Sequence, residues 1–137
     1  KIILEKNIEL IPIKPNKIQY LALCPNLYRY IQFYWALFPD HVVFLGSRAI
    51  IFKSKKELKK KIKNYKDFSG KPIFIKNKGV YSIGKIKKSY TEQLLCYFDV
   101  INRLPKNTSL SPLKEIEIKQ LINWEAEKFR INMLKNY

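Results

Sequence analysis

The stretch Lys71–Gly84, KPIFIKNKGVYSIG, constrains the fold more than any other part of this 137-residue chain. Pro72 opens a run in which Ile73, Phe74 and Ile75 are apolar and β-prone; Val80, Tyr81 and Ile83 form a second run that closes at Gly84. Asn77-Lys78-Gly79 lies between them and carries the turn chemistry. The pattern predicts two short buried strands joined by a tight turn. Such a turn places Lys78 at a sheet edge, where binding residues commonly sit. Lys78 is therefore a candidate site residue, beside the plainer reading of an exposed turn lysine in a lysine-rich chain.

A chain of this length makes one domain, spanning residues 1–137, or a large piece of one. With 47% apolar and 14% aromatic residues it has enough material for a core, which argues against a disordered chain. No apolar run is long enough to span a membrane, and KIILEKNIEL lacks the cleavage pattern of a signal peptide. The absence of a first Met raises the expectation that further sequence lies upstream. Cys24 and Cys96 sit far apart in apolar, helix-like contexts without a CxxC partner, so the expectation is two buried thiols in a reducing cytoplasm.

The net charge of +16, from 27 basic and 11 acidic residues, invites a nucleic-acid reading. Its composition argues otherwise. Only Arg29, Arg48, Arg103 and Arg130 are arginine, whose planar fork base recognition favours. Lys, Ile and Asn are abundant together, the signature of AT-rich codons. The charge gives weak, salt-sensitive attraction to polyanions without specificity.

Along the chain, Ile2–Ile13 reads as strand, with Ile8, Leu10 and Ile13 as core candidates. Lys17–Leu37 has helical spacing broken at Pro25. HVVFLG at His41–Gly46 reads as a short buried strand, and Ala49–Phe52 as another. Ser54 with Glu57 forms a capping box for a helix running to Phe68, with Leu58, Ile62, Tyr65 and Phe68 on its apolar side and lysines facing water. Ser89 with Glu92 opens a helix that ends at Pro105. Ser111, Pro112, Glu115 and Glu117 give the start signals of a last helix, whose stripe is Ile118, Leu121, Ile122, Trp124 and Phe129. The alternation predicts an α/β fold, a central β-sheet covered by helices on both faces.

Individual residues add little chemistry. His41 is the sole histidine, and its expected role is structural, with the ring paired to a carbonyl or to Asp40. Glu125 and Glu127 are two apart on the last helix and do not form a carboxylate pair, whereas Glu127 and Arg130 have pairing distance. Trp124 and Phe129 are expected to pack that helix down. Tyr81 and Tyr90 follow the turn closely in sequence, and nothing selects either as an acid.

Several of these segments, taken in order, resemble the class II aldolase/adducin head family. PDHVVFLG, KPIFIKNKGVYSIG, SYTEQLLCYFDVINRLP and LSPLKEIEIKQLINWEAEKFR, together about Pro39 to Arg130, are similar to its C-terminal part. The last contains the string Asn123-Trp124-Glu125-Ala126-Glu127-Lys128-Phe129-Arg130. The resemblance implies class II aldolase-like α/β/α layers and an ancestral, zinc-dependent aldol cleavage or condensation of sugar phosphates, a lyase of carbohydrate metabolism. It also implies a cytoplasmic homo-oligomer with sites between subunits. In the family the turn reads Asn-His-Gly and its His binds zinc. Here Lys78 stands in that place, and neither the family's His-x-His pair nor its glycine-rich anion loop occurs in this chain. No metal ligand is visible, and the implied ligand becomes a phosphorylated sugar or another small anion at Lys78. Two further readings stand beside it: a non-catalytic, adducin-head-like binding or oligomerisation domain, and a basic nucleic-acid-binding protein.

Overall fold

The expected strand pair is present: β4 (Ile73–Ile75) runs antiparallel to β5 (Gly79–Ile83), with Phe74 opposite Val80. In the computed structural model, which describes residues 2–4, 8–62 and 65–135, this hairpin is the centre of a five-stranded sheet. Its other strands are β1 (Ile2–Leu4), β2 (Ile8–Pro12) and β3 (Ile50–Phe52), and the spatial order is β1-β2-β5-β4-β3. β3 is parallel to β4, and every other neighbouring pair is antiparallel. The expected single strand over Ile2–Ile13 is thus two paired strands, joined through residues that lie outside the described ones.

The helices are α1 (Tyr20–Leu23), α2 (Pro25–Phe33), α3 (Pro39–Leu45), α4 (Lys55–Lys61), α5 (Lys88–Asn102), α6 (Glu115–Asn123) and α7 (Glu125–Lys135). Two 3-10 turns, Asn16–Gln19 and Tyr65–Phe68, complete the list of helical segments among the described residues. The molecule is a mixed α/β fold. Strand alternation divides its sheet into two apolar faces. Phe74, Val80 and Ile13 pack with Leu21, Ile31, Leu94 and Tyr97 from α1, α2 and α5. Leu10, Ile73, Ile75 and Ile83 turn the other way and pack with Phe52 and with Leu58 of α4. Each fully buried Ile or Phe stabilises the fold by about 1.5–3 kcal/mol. A one-residue slip of β4 would exchange its faces, so both cores hold the register.

Two helix signals behave as read. Pro25 begins α2 after a break at Cys24, and Ser54 Oγ accepts the Glu57 N–H at 3.2 Å while the Glu57 carboxylate accepts the Lys53 N–H at 2.7 Å. α4 ends at Lys61, however, short of the expected Phe68; Phe68 belongs to the following 3-10 turn, and the side chain of Tyr65 lies outside the described residues. α5 begins at Lys88, one residue before its expected Ser89 cap position.

Two expectations are corrected. His41–Gly46 is not a strand: α3 spans Pro39–Leu45, with Pro39 in its first turn and Asp40 at its positive end. A short apolar run is ambiguous between strand and helix by periodicity alone. Here Asp40 and Phe44, four apart, both meet Arg130, through a 3.0 Å ion pair and a guanidinium–ring contact of 5.6 Å. The last helix does not start at Ser111-Pro112. The Leu113 N–H donates to the Ala36 carbonyl at 2.7 Å, which holds this segment extended, and α6 starts at Glu115 with Glu117 accepting the Lys114 N–H at 2.6 Å. The chain then turns extended at Trp124 and resumes as α7.

Candidate functional site

The turn Lys76–Lys78 is anchored on three sides. The Asn77 N–H donates to the Ala22 carbonyl at the end of α1, 3.0 Å away, and the Lys78 N–H donates to the Ile75 carbonyl at 3.0 Å. The Tyr81 hydroxyl donates to the Lys78 carbonyl at 2.7 Å, and burial raises the phenol's pKa and keeps it protonated. Asn77 adopts a left-handed conformation with φ of 57°, which its short side chain tolerates.

Gln19, which the sequence did not single out, is the bracket behind this turn. Its amide nitrogen donates to the Ile13 and Val80 carbonyls at 2.7 and 2.8 Å, and its oxygen accepts the Val80 N–H at 2.8 Å. The side chain thus joins the end of β2 to the start of β5. A Cβ on Gly79, whose φ is +127°, would fall on the Gln19 amide oxygen. Glycine is required here by backbone conformation and by this close approach.

Lys78 itself is exposed at the turn and forms no ion pair among the described residues. Its neighbour Lys76 lies 5.9 Å from the Tyr28 ring centroid, a cation–π distance. The turn therefore presents a cation on a backbone fixed from three elements.

The zinc that the resemblance implies does not fit these residues. A protonated lysine offers only donors, where zinc requires lone pairs. Among the described residues no group of three or more His, Cys, Asp or Glu side chains is placed to hold a metal ion. No step through a metal follows from this chain's own residues.

His41 is fully buried, as a structural histidine would be, but without the expected partner. Its ring stacks on Tyr97 at 4.5 Å and meets Trp35 edge-on at 4.1 Å. Among the described residues neither ring nitrogen finds a hydrogen-bond partner, and Asp40 is turned to Arg130 instead. Burial pushes the imidazole pKa down to about 3, so the ring is neutral near pH 7. Tyr97 donates to the Tyr30 and Tyr34 carbonyls at 3.1 and 2.7 Å, and burial holds its hydroxyl protonated.

The remaining candidates scatter. Cys24 is half-buried and Cys96 is exposed, so the pair of buried thiols expected from sequence is not found; both are free. Cys96 lies on the outer side of α5, where helical spacing alone did not separate core from surface. Trp124 and Phe129 are 62% and 66% exposed, contrary to the expectation that they pack the last helix down; the single helix expected there is interrupted at Trp124. The side chains of Glu125 and Glu127 lie outside the described residues, and Arg130 pairs with Asp40. No described helix is long and apolar enough to cross a membrane.

No protein-family model, curated protein or solved structure matches this chain.

Proposed function

We propose that this chain is a divergent class II aldolase/adducin-like domain, corresponding to the C-terminal part of the family domain. In this reading the sheet and its helices are the family's α/β/α layers. Lys78 occupies the place of the metal-binding histidine and binds the anionic group of a phosphorylated sugar or similar small anion. The observation that carries the reading is the Asn77-Lys78-Gly79 turn, whose backbone is held by Ala22, Ile75, Tyr81 and Gln19, so that an exposed lysine is carried on a fixed backbone at the end of the sheet's central hairpin rather than at the expected sheet edge. A positioned lysine supplies charge and donors to phosphate or carboxylate without a metal.

Calorimetric titration with dihydroxyacetone phosphate in the presence of chelator tests this reading. Binding should be measurable for the natural protein, and Lys78→Ala should weaken it about tenfold, the value of one charge-assisted hydrogen bond. Equal affinity in the variant would remove Lys78 from the site. Parallel assays of aldol cleavage separate a working lyase from a binding domain that has kept only the ligand.

A second reading, the non-catalytic oligomerisation domain, is favoured by one observation. Ile116, Trp124, Phe129 and Met133 on and around α6 and α7 are all exposed. Exposed large apolar residues, two of them aromatic, suit a contact surface between copies. Light scattering should then show a defined oligomer that Trp124→Glu with Phe129→Glu converts to monomer; a monomeric natural protein would count against it.

A further inference from the structure

A cavity of about 610 Å³ lies between α2 and the loop that follows α5. This volume is that of a small-molecule site, which typically spans roughly 300–1,000 Å³. Its floor is apolar, made by Leu27, Ile101 and Leu104. Tyr30 and Tyr34 form one wall, with ring centroids 5.7 Å apart and planes inclined by 49°. Both backbone carbonyls of this pair are engaged by Tyr97, which fixes the segment from behind.

The polar lining has one sign. Arg29 and Lys106 line the cavity, and among the described residues no aspartate or glutamate does. Neither cation forms an ion pair among the described residues. Asn26, Asn102 and Asn107 add amide donors and acceptors. The carbonyls of Val100 and Ile101 at the end of α5 are engaged by the Arg103 and Leu104 N–H groups at 3.3 and 3.4 Å, which moderates the negative end of that helix. An apolar floor, an aromatic wall, amides and two unpaired cations suit a ligand with a ring at one end and an anion at the other.

We propose that this cavity binds a nucleotide-sized phosphate monoester, its ring against Tyr30 and Tyr34 and its phosphate toward Arg29 and Lys106. A monoester carries close to two negative charges at pH 7 and matches two cations better than a single carboxylate does. Guanidinium adds the planar fork that phosphate oxygens accept. The site is distinct from the Lys78 turn: Lys78 lines no part of this cavity. The inference does not depend on the function proposed above.

Cys24 lines the cavity and Cys96 does not, and both thiols are free, so the protein contains its own reporter and control. Alkylation of the full chain by neutral iodoacetamide is followed at each cysteine by peptide mass spectrometry, at constant ionic strength. Adenosine 5′-monophosphate at ten times its dissociation constant should slow reaction at Cys24 about tenfold, as occupancy requires, and leave Cys96 unchanged. Adenosine or inorganic phosphate at the same concentration should protect much less. Arg29→Ala should remove most of the protection, and Lys78→Ala should keep it. Equal slowing at both cysteines, equal protection by adenosine, or protection that survives Arg29→Ala combined with Lys106→Ala would overturn the proposal. Loss of protection in Lys78→Ala would also overturn it, by transferring the effect to the turn. Circular dichroism of each variant confirms that the comparison is made between folded proteins.

Discussion

As pH falls from 6.5 toward about 3, His41 alone is expected to remove about 1.4 kcal/mol of folding stability per pH unit. The sign follows from its surroundings. The folded ring resists protonation because Trp35, Phe38 and Tyr97 enclose it and neither nitrogen has a partner among the described residues. The unfolded chain offers the same imidazole to water. A histidine with a depressed folded pKa contributes its full share above the unfolded value, and that share is lost as pH falls toward the folded value. Acid also raises the charge on a chain already at +16, so the bare stability curve mixes His41 with general repulsion. The difference between the natural protein and His41→Leu isolates it. Urea denaturation across the acidic range should show the natural protein falling relative to the variant through this window, with parallel curves above pH 6.5. Parallel curves throughout would mean that His41 finds a hydrogen-bond partner or water in solution.

Gly79→Ala should cost about 2–4 kcal/mol, combining a backbone conformation unsuited to alanine with overpacking against Gln19. The alternative to unfolding is displacement of the Gln19 side chain, which breaks its bonds to Ile13 and Val80. The two residues therefore couple. Gln19→Ala alone is destabilising through three lost hydrogen bonds, yet it removes the atom on which the new methyl falls. Stability measurements on both single variants and the double variant should give a total loss smaller than the sum of the two. Strict additivity would show that Gln19 does not reach Gly79. Because Gly79 completes the turn that carries Lys78, the same variant should also weaken anion binding at the turn.

How much the sequence revealed depended on whether a signal was local. Asn77-Lys78-Gly79 between two apolar runs is complete within a few residues, and the hairpin appears at its expected position. Ser54 with Glu57 is equally local and forms as read. The strand expected at His41–Gly46 failed because a short apolar stretch suits either state, and contacts to this segment come from Tyr97 and Arg130, distant in sequence. The start of α6 was misplaced for the same reason: the Leu113 N–H is taken by Ala36.

The candidate site divides similarly. Lys78 was legible because turn chemistry marks it. Gln19 was not, since a lone glutamine in a helical stretch carries no pattern; its importance lies in two strand ends that meet only in the fold. Arg29 and Lys106 were invisible as a pair for that reason too. They are two cations among 27 basic residues, and only the packing of α2 beside the loop after α5 distinguishes them.

The central claim, that the turn binds an anionic group through Lys78 without metal, is tested most directly by amide NMR of the natural protein titrated with dihydroxyacetone phosphate under chelator. Saturable shifts concentrated at Asn77, Lys78 and Gly79 are expected, absent in Lys78→Ala, with zinc well below one equivalent by elemental analysis. Shifts that leave the turn unmoved, or that appear only when zinc is supplied, would contradict it.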